Sequence, residues 1–221
     1  MTDQIEEQIA ENLARAEMYR LLASVFYREL DETQIATLKA QPLAAPEEGR
    51  MKDGADAVYR AFRMAPPDTL TRLRVDYARI FLAAGIYEGD TAVPFESVFT
   101  GEEGILMDDA RDEVLAIYRN EDVTVQADLN TPEDHISFEL EFMAILCDRI
   151  ASALQEGNDA EAARLLELQR DFAQNHLLNW VPQLAERVDN YAKEAFYPAF
   201  MDYALGFIED DEAWLEESLA Q

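Results

Sequence analysis

Two histidines, His135 and His176, and one cysteine, Cys147, stand against 46 aspartates and glutamates in this chain. His135 lies two residues after Glu133 and four before Glu139, so a helix start here makes neighbours of an imidazole and carboxylates. Such a group can grip a metal ion, move a proton or bind a guanidinium. A helical metal-carboxylate enzyme is therefore one reading. A carboxylate-bridged two-metal bundle, however, wants Glu-x-x-His pairs on two helices, and Pro132 and Ala173 occupy the positions where those glutamates would stand. Cys147 falls on an apolar helical stripe, which suggests a buried, inert thiol. Neither histidine has a nucleophile motif beside it, and no Gly-rich phosphate loop is present. The expectation is a protein with no catalytic residue, no bound cofactor and no metal site.

What must position His135 is the stretch Thr131-Pro132-Glu133-Asp134-His135. A Thr hydroxyl can cap, Pro suits a first helical position, and Asp three residues after Thr completes a capping pattern, so a helix is expected to begin at Thr131. Ile136, Leu140, Met143, Cys147, Ile150 and Leu154 then recur at steps of three and four and form one core stripe. Two readings of the first turn stay open: Asp134 caps and His135 packs locally, or the turn is an acidic recognition surface.

The same periodicity predicts a first helix from about Gln4 to Glu29 with Ala14, Met18, Leu21, Leu22 and Val25 inward, and a short helix after Asp31. Gln41–Gly49 reads as a loop. A helix is expected over Asp53–Met64, and another from an Asp68 cap to about Ala83 with Leu73, Tyr77, Ile80 and Phe81 inward. Ala84–Gly101, with Gly85, Tyr87, Gly89, Pro94, Phe95 and Phe99, reads as a long loop with exposed aromatics. Helices are expected over Glu102–Asn120 and Ala160–Asn179, with a bend at Trp180-Val181-Pro182 where His176 stacks or hydrogen-bonds. Pro198 marks another start or kink, and Glu209–Glu212 is expected to cap a short last helix with Trp214 and Leu215. The polar linker 121–130 would be a hinge between portions 1–120 and 131–221 of one domain.

At 221 residues, 49% hydrophobic and with only 8 Gly and 8 Pro, the chain fits an all-α single helical-bundle domain of roughly nine to eleven helices. A formal charge of −28 argues against nucleic acid and anionic membrane as partners and favours cationic ones. One cysteine allows no internal disulfide, and the acidic N-terminus and the absence of any long apolar run suggest a soluble, cytoplasmic protein.

Four segments resemble one family in order. Asp76-Tyr77-Ala78-Arg79-Ile80-Phe81 is similar to an Asp-Tyr-x-Arg-Leu-Phe motif, and Pro94-Phe95-Glu96-Ser97-Val98-Phe99 to a Pro-x-Glu-Ser-Val-Tyr loop. Glu133-Asp134-His135-Ile136 with Glu139-Leu140-Glu141-Phe142-Met143, and His176-Leu177-Leu178-Asn179-Trp180-Val181-Pro182, match two further blocks. The chain thus resembles the TorD/DmsD-type maturation chaperones of molybdenum-containing redox enzymes, of the NarJ-like superfamily, with Ile80 and Phe99 where Leu and Tyr are frequent. The resemblance implies a TorD-like all-helical chaperone that binds the twin-arginine signal peptide, the apo form of a molybdopterin oxidoreductase, or both, and delays export until the cofactor is inserted. The alternative within the class is a NarJ-like assembly chaperone for a non-exported subunit. By position, the peptide-binding residues implied are Pro94, Glu96, Ser97, Pro132, Glu133, Asp134 and His135, and the oligomeric states implied are a monomer or a domain-swapped dimer. Together the Tyr87–Phe99 loop and the Thr131–Glu139 helix start would form an acidic groove with aromatic walls.

Overall fold

The computed structural model describes residues 2–63, 65–84, 91–101, 104, 106–126 and 129–220. Met64, the Gly85–Gly89 part of the expected loop with Tyr87, and the expected helix start at Glu102 lie outside these residues. The described residues form α1 (Thr2–Tyr27), α2 (Glu32–Ala40), α3 (Arg50–Arg63), α4 (Thr69–Phe81), α5 (Glu96–Thr100), α6 (Asp109–Asn120), α7 (Ile136–Gln155), α8 (Asp159–Phe172), α9 (Val181–Tyr191) and α10 (Phe196–Leu219), with a π-helical turn over Ala173–Leu177. No β-strand occurs among them, so the all-α expectation holds. Residues 1–27, 95–179 and 211–221 make one compact unit, and residues 28–94 and 180–210 a second.

In the first unit α7 is the central element, with Ile136, Leu140, Met143, Cys147 and Ile150 all buried and α1 and α8 packed along it. Leu154, the last residue of the expected stripe, is half-buried. Burial pushes the Cys147 thiol up to about 11, as expected of an inert core thiol. On the inward face of α1, Leu22 and Val25 are buried as expected, but the rest differs from the apolar face expected. Ala14 is exposed, Met18 and Leu21 are half-buried, and the buried positions include Asn12, Arg15 and Tyr19. The reason is a polar network that apolar periodicity has no means of showing. Arg15 Nε and Nη2 donate to Asp211 at 2.5 and 2.9 Å, Nη1 to Asn12 at 2.8 Å, and Nη2 also to Gln169 at 2.9 Å. The Tyr19 hydroxyl donates to the same Asp211 carboxylate at 2.6 Å, and the guanidinium lies 4.2 Å from the Trp214 ring centre. This pair also corrects the reading of Glu209–Glu212 as a cap. Asp211 sits inside the continuous α10, where its carboxylate is held by α1 instead of starting a new helix.

In the second unit α2 starts at a true capping box, Asp31 with Gln34. Leu73, Tyr77, Ile80 and Phe81 are buried on α4 as expected. Asp76 explains the first motif: buried itself, it accepts from the Lys193 and Glu194 amides at 3.0 and 2.8 Å and from Arg79 at 2.5 Å. It thereby fastens the α9–α10 connection to α4. Helices α3 and α10 cross so closely that a Cβ on Gly54 would stand 2.3 Å from the Tyr203 amide, and one on Gly206 equally close to Met51 N. Glycine is required at both positions by that approach.

Removing one partner of a buried ion pair leaves the other charge uncompensated. Arg15→Met is therefore expected to lower stability by about 3–5 kcal/mol, read as a fall in urea midpoint. Arg15→Met with Asp211→Leu is expected to recover much of that loss, and a double variant no better than the single one would deny the pair its role.

Candidate functional site

The two expected site segments, the Pro94 loop and the Thr131 helix start, meet within the first unit from Phe95 onward. Phe95 and His135 form an isolated antiparallel bridge, and the Glu96 amide donates to the Asp134 carbonyl at 3.0 Å. The helix does not begin at Thr131. Thr131 Oγ1 donates to Leu129 O at 3.1 Å, residues 133–134 form a turn, and α7 starts at Ile136 with His135 as its cap. Asp134 serves another element: its Oδ2 accepts the Ser97 amide at 3.0 Å, near the start of α5, which has no side-chain cap at Phe95. The local sequence supports both starts at once because the 133–134 turn leaves the Asp134 carboxylate facing the neighbouring segment.

His135 is 6% exposed, and its Nδ1 accepts the Ser137 amide at 3.2 Å and lies 2.7 Å from Ser137 Oγ. An amide only donates, so Nδ1 carries no proton and the neutral ring bears its hydrogen on Nε2. Burial pulls its pKa down to about 3. The ring meets Phe95 edge-on at 4.9 Å. With Nδ1 committed and the ring neutral, His135 is a cap and packing element.

Glu96 is 2% exposed. Its Oε2 lies 3.1 Å from His176 Nδ1 and its Oε1 accepts from Asn179 Nδ2 at 3.0 Å. The π-helical turn makes this geometry: Leu178 N bonds Ala173 O at 2.8 Å, five residues back, and the widened turn presents His176 and Asn179 to one carboxylate. His176 also lies 5.0 Å from the Phe172 ring. Neither His176 nor Asn179 was among the expected site residues. The signal for them in the sequence is that they belong to the fourth matched block, whose Trp180-Val181-Pro182 reads as a bend.

Glu96, Asp134 and Glu139 are all buried near Tyr118, whose hydroxyl is held far above its usual range, first by burial and then by these carboxylates and Glu133. Asp134 Oδ1 and the Ser97 hydroxyl find no hydrogen-bond partner among the described residues, a cost on the order of 1–3 kcal/mol each. Of the seven expected residues, Pro94, Glu96, Ser97, Asp134 and His135 are thus buried, and Pro132 and Glu133 are half-buried. Phe95 and Phe99 are also half-buried, so they are not the open aromatic walls expected.

The accessible edge of the site is Pro132 with Glu133. They line a cavity of about 320 Å³ with Met107, Arg111, Val125 and Gln126. Arg111 Nε donates to Glu133 Oε2 at 2.7 Å; burial is the largest influence and works against the Glu133 charge, but this bond, a backbone hydrogen bond and the nearby charges of Arg111 and Arg119 together lower the pKa. A second, apolar cavity of about 240 Å³ shares Val125 and Gln126 and adds Leu129, Phe138, Phe142 and Ile145. Among the described residues no group of three or more His, Cys, Asp or Glu side chains is arranged to hold a metal ion. No described helix is long and apolar enough to cross a membrane.

An all-α chain with these polar fastenings matches a known class. A family model described as nitrate reductase delta subunit covers residues 48–186, and the chain belongs to that family. Over nearly its whole length it is similar to proteins named as chaperone protein TorD. One, from the classical Ogawa strain of Vibrio cholerae, is 31% identical over 95% of this chain and 96% of the relative. A second, from the El Tor Inaba strain, is 32% identical over 93% and 94%, and a third, from a Psychrobacter species, is 29% identical over 94% of each. These relatives are named as chaperones, not as catalysts.

The His135 geometry sets a pH dependence. Between about pH 6.5 and 3 an unfolded imidazole is protonated while the buried one is not, so the unfolded state binds more protons and stability falls with acidification. The contribution is complete above about pH 6.5 and declines below it by up to ~1.4 kcal/mol per pH unit. His135→Asn keeps an acceptor for the Ser137 amide without titrating. Its urea midpoint should depend less on pH between 7 and 5 than that of the wild type, and parallel curves would contradict the assignment.

Proposed function

We propose that this chain is a maturation chaperone for a molybdopterin oxidoreductase, binding the twin-arginine signal peptide or the apo form of its client and delaying export until the cofactor is inserted. The observation that carries this is the near full-length similarity to proteins named as chaperone TorD. It is a chaperone rather than an enzyme, and it acts by binding in the cytoplasm as a monomer or domain-swapped dimer. The linker 121–130 would then serve as the hinge of such an exchange.

Pro94, Glu96, Ser97, Pro132, Glu133, Asp134 and His135 act in this reading as one peptide-binding region with divided roles. Pro132 and Glu133 touch the peptide, while the buried members hold the two segments in register. An apolar stretch of signal peptide would occupy the cavity lined by Phe138, Phe142 and Ile145. Its arginines would find Glu133 and the half-exposed Glu141 at the cavity edges. The overall charge of −28 steers such a cation inward, more weakly as salt rises.

Titration calorimetry with twin-arginine peptides of molybdoenzymes is expected to show binding that weakens with salt and drops several-fold in Glu133→Gln. No heat with any such peptide, nor with the corresponding apoenzymes, would overturn the proposal. The description of the matching family model favours a second reading, a NarJ-like assembly chaperone for a non-exported subunit. It predicts binding to a client whose N-terminal segment lacks the paired arginines.

A further inference from the structure

The acidity of this chain is not uniform. Residues 50–79 hold seven of its 18 Lys and Arg against four Asp, whereas the remaining residues are overwhelmingly acidic. In the second unit, α3 and α4 carry this cationic stretch, and between them and the start of α10 lies a cavity of about 640 Å³. That volume is in the range of ligand-binding clefts, roughly 300–1,000 Å³, and is ample for a bulky apolar side chain with part of its neighbours. Its walls are apolar at Ala57, Ala61, Phe62, Leu73 and Phe196, and its rim is charged at Arg60, Arg72 and Glu194.

The charges on the rim are not equivalent. Arg72 holds Glu194 Oε1 through Nη2 at 2.7 Å and Nε at 2.9 Å, with the arginine exposed and Glu194 half-buried. Water on the arginine side screens the pair, and among the described residues the remaining guanidinium donor, Nη1, is open to a second carboxylate. Arg60 makes no ion pair among the described residues, and neither does the exposed Arg63 one helical turn away. A site with apolar walls and guanidiniums at the edge suits carboxylates flanking an apolar anchor. It disfavours a segment bearing paired arginines, for which like charges at the rim are repulsive.

We propose that this cavity docks an acidic polypeptide segment of a partner through one bulky apolar side chain, with the segment's carboxylates on Arg60 and Arg72. The cavity belongs to the second unit and the Pro132–Glu133 edge to the first, and the two call for ligands of opposite charge. The proposal rests on the chaperone reading only for the occupant being a polypeptide.

The test is fluorescence anisotropy of the full chain with a labelled peptide whose central Phe-Leu pair is flanked by Glu and Asp, beside a labelled twin-arginine peptide. The acidic probe is expected to bind saturably, more weakly in salt, and at least about tenfold more weakly to Arg60→Glu. Ala61→Trp, which fills the cavity, is expected to weaken it as well. Arg60 is exposed, so that variant should fold as the wild type does, with circular dichroism as the check. The twin-arginine probe should bind both variants as it binds the wild type. Equal binding of the acidic probe to wild type and Arg60→Glu, or no binding at all, overturns the proposal. So does loss of the twin-arginine probe in Ala61→Trp, which would make the cavity part of the signal-peptide site. A concentration-dependent dimer abolished by Arg60→Glu would overturn it too, since the acidic occupant would then be a second copy of the chain. Failure of the twin-arginine probe alone bears on the function proposed above and leaves this cavity's test standing.

Discussion

A carboxylate taken out of water has to be met by donors, and Glu96 is the group on which the candidate site depends. His176 and Asn179 supply the donors from a turn widened to bring both to the same side chain. With Glu96 fixed, its own amide and that of Ser97 are directed to the Asp134 carbonyl and carboxylate. The short α5 is too brief to be stable by itself. It persists because these bonds, and the Phe95–His135 bridge, replace the intrahelical bonds it lacks. Position, not local propensity, is what the buried charges provide here.

The same device recurs elsewhere. Asp76 gathers two backbone amides and Arg79, and Asp211 gathers Arg15 and Tyr19. Each clamp joins segments far apart in the sequence, and with a single cysteine none of them can be a disulfide. Buried pairs of this kind contribute little net stability over apolar packing but penalise wrong arrangements heavily, since a misplaced partner leaves a charge unpaired in the interior. That asymmetry suits a bundle whose helices are amphipathic and, by apolar pattern alone, could pack in more than one register.

Periodicity made most helices legible, because an apolar stripe such as Ile136, Leu140, Met143, Cys147 and Ile150 is a local property of the chain. It misled where polar residues face inward. Asn12 and Arg15 on α1 carry no apolar signal, and Asp211 reads as a solvated cap until Arg15 is brought against it. The site was half legible for the same reason. Pro94–Ser97 and Pro132–His135 were found as segments, but the capping pattern at Thr131 gave the wrong helix start, since the carboxylate that seemed to cap α7 is spent on α5. Local rules assign Asp134 to the nearest amides; the fold assigns it to an amide 37 residues away. His176 and Asn179 were unreadable as site residues because their role requires a π-helical turn, which no local pattern announces.

Burial of most motif residues bears on how any recognition by this region must work. A neutral His135 and a Glu96 already satisfied by two donors have little to offer a ligand directly, whereas their fixed geometry determines where Pro132 and Glu133 present themselves. Glu133 is itself paired with Arg111, so an incoming guanidinium would exchange one cation for another instead of meeting a bare carboxylate. Such an exchange gains little raw affinity and much dependence on shape and on the adjacent apolar wall, because the ionic terms on the two sides nearly cancel. Discrimination would then rest with the half-buried Phe138 and Ile145, whose further burial is not offset by an equal loss, over a floor set by the buried Phe142.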